Sequence, residues 1–297
     1  MTNVILECGG PAALSDCGGT LQNHVSANGS PNVQEEPMRD IPGPGALIAG
    51  LLILALLFAI LERVAGSVPR KPLFRRERLT DFLWWFFTPW VSRTASTIAI
   101  FATVAVIVVV SGRTHTDQTW FTRQPIAFQI VALLVLSDLL GYAAHRLFHR
   151  GRFWRYHAIH HSAEDLDWLS ATRVHPVNEI GNRLLQVIPL YLLGFRGAAL
   201  AAVVPIFTLY ALLIHANIRW DFGPLRYVIA SPVFHRWHHT KAAEGRDKNF
   251  AGLFPWIDAL FGTLYMPRGK QPEVFGVDES VPKGIGGQLV WPFTRSR

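Results

Sequence analysis

LLGYAAHRLFHRGRFWRYHAIHH, residues 139–161, decides how this chain is read. An apolar run closes on His145 and His149, four residues apart, and His157, His160 and His161 follow within the next twelve residues. Helix positions i, i+3 and i+4 share a face, so each set can aim its imidazoles at one metal ion. HRWHH (235–239) repeats the second spacing with His235, His238 and His239, while His175, in RVHPVNE (173–179), and His215 stand singly between the boxes. Ten of the twelve histidines thus fall between positions 145 and 239. Eight box imidazoles exceed the three or four protein ligands that one zinc takes, whereas two metals with four or five nitrogens each would use them.

Around the boxes the chain is unusually apolar. Half of its 297 residues are hydrophobic and 16% are charged, against roughly 25% charged in a soluble domain. The apolar residues come in long runs. Ile41–Leu61 carries no charge over 21 residues, about the number needed to cross a hydrocarbon core. Further spans are expected over about 94–111 and 125–144, the latter interrupted by Asp138. A hairpin follows: a short arm, Leu184–Leu193, the turn GFRG (194–197) and a longer arm, Ala198–Ile214. FLWWFFTPW (82–90) suits an in-plane amphipathic segment. The expected fold class is all-α, a multi-pass membrane protein whose helical cap holds a histidine-rich dimetal site.

Loop charge sets the orientation. Residues 62–93 hold seven Lys/Arg, the preceding tail only Arg39, and the connection between the second and third spans only Arg113 and Arg123. The positive-inside rule then places 62–93 in the cytoplasm, and all ten clustered histidines fall on that same face. The first 43 residues are polar and mildly acidic, without sustained periodicity, and read as a disordered tail. Cys8 and Cys17 lie in it, which excludes a cysteine-rich metal site or disulfide scaffold. Phosphate-binding glycine motifs and the G-x-S-x-G of hydrolases are absent. The net charge of +7 flanks apolar segments rather than forming a nucleic-acid patch.

Imidazole suits zinc, iron, copper and nickel alike. A dimetal centre beside a bilayer is placed to act on lipid chains, whose unactivated C–H bonds need a redox metal and O2, which favours iron. On HRLFH (145–149), HAIHH (157–161), RVHPVNE (173–179), HANI (215–218), HRWHH (235–239) and DKNFAGLFPWIDALFGTLY (247–265), the sequence resembles the fatty acid hydroxylase/sterol desaturase superfamily over about residues 80–266. The resemblance implies a cytoplasmic helical cap, two non-haem Fe2+ ions held by histidines, and O2-dependent hydroxylation or desaturation of a lipid, fatty acyl chain or sterol. Some members carry a further histidine four residues before the position of His215, where this chain has Ala211. That leaves a ligand to come from His175, from Asn217 through water, or from nothing.

The expected metal ligands are therefore His145, His149, His157, His160, His161, His175, His215, His235, His238 and His239. Asp138, two helical turns before His145, is expected to accept a hydrogen bond from a ligand imidazole, since a carboxylate inside a span is costly. Asn217 and Asn249 are expected to orient water or cap helices beside the metals. Glu164, Asp165 and Asp167 read as a solvated charge run, and Arg146, Arg150, Arg152 and Arg155 suit the headgroup level. The domains expected are a tail (1–43), N-terminal membrane helices with a basic loop (44–124), the catalytic region (125–266) and a C-terminal tail (267–297). Electrons would come from a separate ferredoxin- or cytochrome b5-like protein. The location expected is a bacterial inner membrane, with endoplasmic reticulum as the alternative. A histidine-rich metal transporter is the rival reading; it would place its ligands near mid-membrane on broken helices. A catalytically inactive lipid-binding relative is the other.

Overall fold

The computed structural model describes residues 43–67, 75, 77–112, 119–195 and 197–294. Residues 1–42, with Cys8 and Cys17, lie outside the described residues. The described residues form ten α-helices joined by short turns, and no strand beyond two single β-bridges, Gly66 with Ile218 and Thr240 with Phe275.

Three helices are long and apolar enough to cross a bilayer. The first, α1 (Pro44–Ala65), starts with proline at its first position, where the missing N–H costs nothing. Its 22 residues span about 33 Å. Leu52, Ile53, Leu56 and Val64 on it are left uncovered by protein. The second crossing is α2 (Arg78–Phe87) running without a break into α3 (Arg93–Ser111). Between them Thr88–Ser92 makes a π turn, closed by the Arg93 N–H on the Thr88 carbonyl. Pro89 lacks the donor that an uninterrupted α-ladder needs there, and a wider turn absorbs the loss. FLWWFFTPW is thus part of one continuous helix and not a separate in-plane segment. The third is α4 (Ile126–Phe148), which carries the chain through the first histidine box.

The expected hairpin is longer on its first arm. α6 runs Pro176–Leu192, starting where His175 caps it, and α7 runs Gly197–His215. α6 packs against α3 and α4, and α7 against α4. Leu133, Leu190, Phe195, Ala199 and Val203 fill the core among them. At one point α6 and α4 touch closely: a Cβ on Gly181 would stand 2.6 Å from the Phe148 ring.

Beyond the helix ends lies a cap built of α5 (Trp154–His161), α8 (Pro232–His238), α9 (Pro255–Leu260) and α10 (Ile285–Val290). Phe58 of α1 stacks on Trp168 of the cap at 5.2 Å, which ties the first crossing to the segment after the second box. A buried ionic network does the same for α2. Arg75 bonds both Asp81 and Asp167, and Arg173 bonds Asp81 and Glu77. Asp167, expected in a solvated run, is in fact 3% exposed and also accepts the Leu169 and Ser170 N–H groups. Carboxylate and guanidinium are buried here as mutual partners, which offsets the cost of taking each from water. Glu164 stays exposed and pairs with Lys283. The segment after residue 266 also packs: Gln288 is buried and accepts from Trp84 Nε1 at 2.7 Å, and Lys283 reaches Glu77 at 2.9 Å.

Candidate metal centre

Nine histidines converge at the cap-side ends of α4 and α7. They divide into two groups, and the division cuts across the boxes. His145, His149, His157, His161 and His238 form one, and His160, His215, His235 and His239 the other, the ligand nitrogens within each lying inside 4.8 Å of one another. Helical spacing explains the split. His157 and His161 are one turn apart and face one way on α5, whereas His160 is rotated off that stripe toward the second group. α8 mirrors it, with His235 and His239 facing the second group and His238 the first.

The inward atoms are Nε2 in both groups. His145 Nε2 lies 2.9 Å from His157 Nε2, which is 3.1 Å from His161 Nε2. His215 Nε2 lies 3.1 Å from the Nε2 atoms of His160, His235 and His239. The outward nitrogens show which of these carry protons. His145 Nδ1–H donates to the Phe250 carbonyl at 2.8 Å, His238 Nδ1–H to the Lys248 carbonyl at 2.7 Å and His215 Nδ1–H to the Ala211 carbonyl at 2.6 Å. His157 Nδ1–H donates to Asn178 Oδ1 at 2.9 Å, and His149 Nδ1–H to Asp247 Oδ1 at 3.0 Å. A neutral imidazole with its proton on Nδ1 presents a lone pair on Nε2. His145 and His157 therefore meet lone pair to lone pair at 2.9 Å, a repulsive contact unless a cation lies between. The Nε2 atoms of His149 and His238 are likewise buried without a hydrogen-bond partner among the described residues. Protonation is no alternative, because burial, reinforced by neighbouring imidazoles, holds His157, His160, His161, His235, His238 and His239 well below the ordinary histidine range. Buried, neutral and converging nitrogens fit metal ions, two of them, with five and four ligands.

His175 is not brought to either group. It caps α6, its Nδ1 accepting from the Val177 N–H at 3.1 Å while Nε2–H donates to the Leu289 carbonyl at 3.2 Å. Both ring nitrogens are occupied by the fold, so its placement among the ligands is corrected. Asp138 does not touch an imidazole either. Its carboxylate accepts three consecutive backbone N–H groups, from Gly252 and Leu253 on Oδ1 and Phe254 on Oδ2, at 2.7–3.0 Å. Asp258 takes the Phe250 and Ala251 N–H groups, each at 2.8 Å. Asn249, in the left-handed region at φ 58°, bridges the Phe234 and Tyr265 carbonyls and accepts the Tyr265 N–H. These three side chains fix the 248–254 loop, which in turn offers its carbonyls to His145 and His238. Asn217 is buried, and its backbone N–H reaches Glu62 at 3.0 Å. Its Oδ1 has no partner among the described residues.

Sequence reasoning did not single out Asn178 and Asp247, the two side chains that hold ligand imidazoles directly. Both lie inside quoted motifs, Asn178 in RVHPVNE and Asp247 at the start of DKNF, but pairing them with His157 and His149 requires contacts across 21 and 98 residues. A cavity of about 180 Å3 reaches His149, His161 and His238 from the cap side, between Trp154, Lys241 and the 276–279 segment.

Residues 130–263, which include all nine clustered histidines, match the fatty acid hydroxylase family. Among curated relatives, the chain is 36% identical over 178 residues to an ornithine lipid hydroxylase of Rhizobium tropici, covering 59% of this chain and 54% of that one. It is 30% identical over 146 residues to an alkylglycerol monooxygenase of Caenorhabditis elegans, covering 48% and 28%. A very-long-chain aldehyde decarbonylase of Oryza sativa is 34% identical over 149 residues, covering 46% and 23%. The chain thus spans about half, or less, of the length of these relatives. No solved structure matches. The histidine boxes, their placement at the helix ends and the family match coincide: residues 130–263 are similar to the fatty acid hydroxylase family.

Proposed function

We propose that the protein is an O2-dependent di-iron oxygenase that hydroxylates a membrane lipid. The observation that carries this is the convergence of nine imidazoles, six of them buried, on two points beside the ends of membrane-crossing helices, five of them held by Nδ1 partners with the Nε2 lone pair inward. Bound there, two Fe2+ ions would supply activation of O2 and oxidation of an unactivated C–H bond. The five-histidine ion would be held by His145, His149, His157, His161 and His238, the other by His160, His215, His235 and His239. No protein nucleophile or general base is required of the histidines, whose role is to bind. Asn178, Asp247 and the Phe250 and Lys248 carbonyls hold ligand rings in the tautomer that leaves Nε2 free, and Asp138, Asn249 and Asp258 hold the loop that provides the carbonyls. Hydroxylation is favoured over desaturation by the names of the bacterial and animal relatives, a hydroxylase and a monooxygenase. The ornithine lipid hydroxylase supports an amino-acid-headed lipid as substrate, alongside fatty acyl and sterol classes.

The catalytic region is taken as 125–266, preceded by the tail (1–43) and the membrane helices (44–124) and followed by 267–297. Electrons come from a separate ferredoxin- or cytochrome b5-like carrier, for which exposed Arg150 and Arg152 offer a cationic surface. The cap faces the cytoplasm of a bacterial inner membrane. The test is to express the chain under 18O2 and examine host lipids by mass spectrometry. Wild type is expected to add one labelled oxygen atom to a lipid class, and His160→Ala and His238→Ala to add none while inserting normally. Retained turnover in either variant would remove the ligand assignment. Iron-loaded wild type that leaves every lipid class unlabelled in the presence of a reducing carrier would remove the oxygenase.

A further inference from the structure

The two histidine groups are supported very differently, and the difference lies in the outward nitrogens. In the five-histidine group, four Nδ1 atoms donate to protein acceptors: His145 to Phe250, His149 to Asp247, His157 to Asn178 and His238 to Lys248. Three of those acceptors are themselves fixed. Asn178 is 3% exposed on α6, and the 248–250 carbonyls belong to a loop whose N–H groups are taken by Asp138 and Asp258. In the four-histidine group, His215 donates to Ala211, which lies on its own helix. The Nδ1 atoms of His235 and His239, by contrast, are buried with no partner among the described residues.

We infer that the two metals are held unequally, the five-histidine group retaining its ion and the four-histidine group releasing its own first. The inference rests on the di-iron reading above and goes beyond it to the behaviour of each site. Binding through Nε2 requires the proton on Nδ1. Where an acceptor waits for that proton, the ring is already in the ligating tautomer and orientation before metal arrives. Where none does, ligation strands a buried N–H donor, and the bound form loses affinity. Each such outer partner is worth about 10–100-fold in metal affinity. Two stranded rings, and one ligand fewer, act in the same direction. A protein with one metal per chain is therefore a defined species, filled at His145, His149, His157, His161 and His238. The emptied group, with only four protein nitrogens, is then the one exchanging with its surroundings.

Metal content over time tests this on the full chain in detergent. Wild type is loaded anaerobically with Fe2+, freed of excess and exposed to EDTA, and iron per chain is followed by elemental mass spectrometry. Loss is expected in two phases, from two irons to one and then to none, with the first at least about 10-fold faster. A cryo-electron microscopy map of the half-loaded protein is expected to show the remaining ion in the five-histidine group. Asn178→Ala is expected to speed the slow phase about 10–100-fold and leave the fast phase unchanged. Loss of both ions in a single phase, or the remaining ion lodged among His160, His215, His235 and His239, overturns the inference. A folded wild type that takes up no iron at the outset refutes the di-iron reading instead, and so the two failures are distinct.

Discussion

A histidine ligates through one nitrogen only while the proton sits on the other, so the charge state of the site is set residue by residue. Seven of the nine histidines lie outside the crossing helices: His149, His157, His160, His161, His235, His238 and His239. Burial lowers every one of them, and for His149 the Asp247 carboxylate opposes the shift only in part. In the unfolded chain the same groups protonate near the ordinary value of about 6.5. Below that pH the unfolded state binds more protons than the folded one, and stability falls as pH falls. Above it both states are neutral and the groups exert no pull. Metal-free protein is therefore expected to melt at a progressively lower temperature from pH 6.5 to pH 5, with a flat region above pH 7. The slope is about 1.4 kcal/mol per pH unit for each histidine that stays neutral. Differential scanning of the detergent-solubilised protein across that range checks it, and a melting temperature unchanged at pH 5 would mean that the rings are not buried neutral.

At the scale of elements, the loop after α8 shows why some of the site was legible in the sequence and some was not. The boxes were legible because helical spacing is local: four residues fix a common face, whatever lies elsewhere. The same rule separates His160 from His157 and His161, yet the crossing of boxes between the two groups depends on how α5 packs against α8, which spacing does not encode. Asp138 illustrates a different limit. A carboxylate in an apolar run signals a costly group with a partner, but the partner proved to be a row of backbone N–H groups 114–116 residues away, and not an imidazole. His175 was misplaced for a related reason, since a histidine followed by proline at a helix start serves equally well as a cap. Asp138→Ala leaves three donors without their acceptor, at about 1–3 kcal/mol each. It is expected to lower stability by about 3 kcal/mol or more and to reduce iron content, because the Phe250 and Lys248 carbonyls lose their register. Denaturation and metal analysis read the two effects separately. Wild-type stability with full iron would show that Asp258 and Asn249 hold the loop unaided.

For the whole molecule the decisive relation is which helix ends meet. The C-terminal ends of α1 and α7 are joined where the Arg219 N–H meets the Ala65 carbonyl and the Ser67 N–H meets the Asn217 carbonyl. The C-terminal end of α4 enters the histidine groups at the same place. At the other ends of the helices, Thr119 Oγ1 donates to the Leu193 carbonyl, drawing the connection between α3 and α4 to the turn between α6 and α7. The ligands therefore share one side of the membrane by construction. Which side that is depends on charge. Arg75 is buried against Asp81 and Asp167, so in the folded protein it no longer faces the headgroups, whereas Arg78 meets Asp167 and stays 35% exposed. The bias nonetheless acts while the chain inserts, before the cap assembles around them, and it favours a cytoplasmic cap. With Cys8 and Cys17 replaced by serine, Lys270→Cys reports the cap and Trp120→Cys the opposite end, both positions being exposed. In intact cells an impermeant maleimide is expected to label position 120, and position 270 only after permeabilisation. The reverse pattern would turn the molecule over while leaving the site intact; labelling of both positions from one side would break the topology itself.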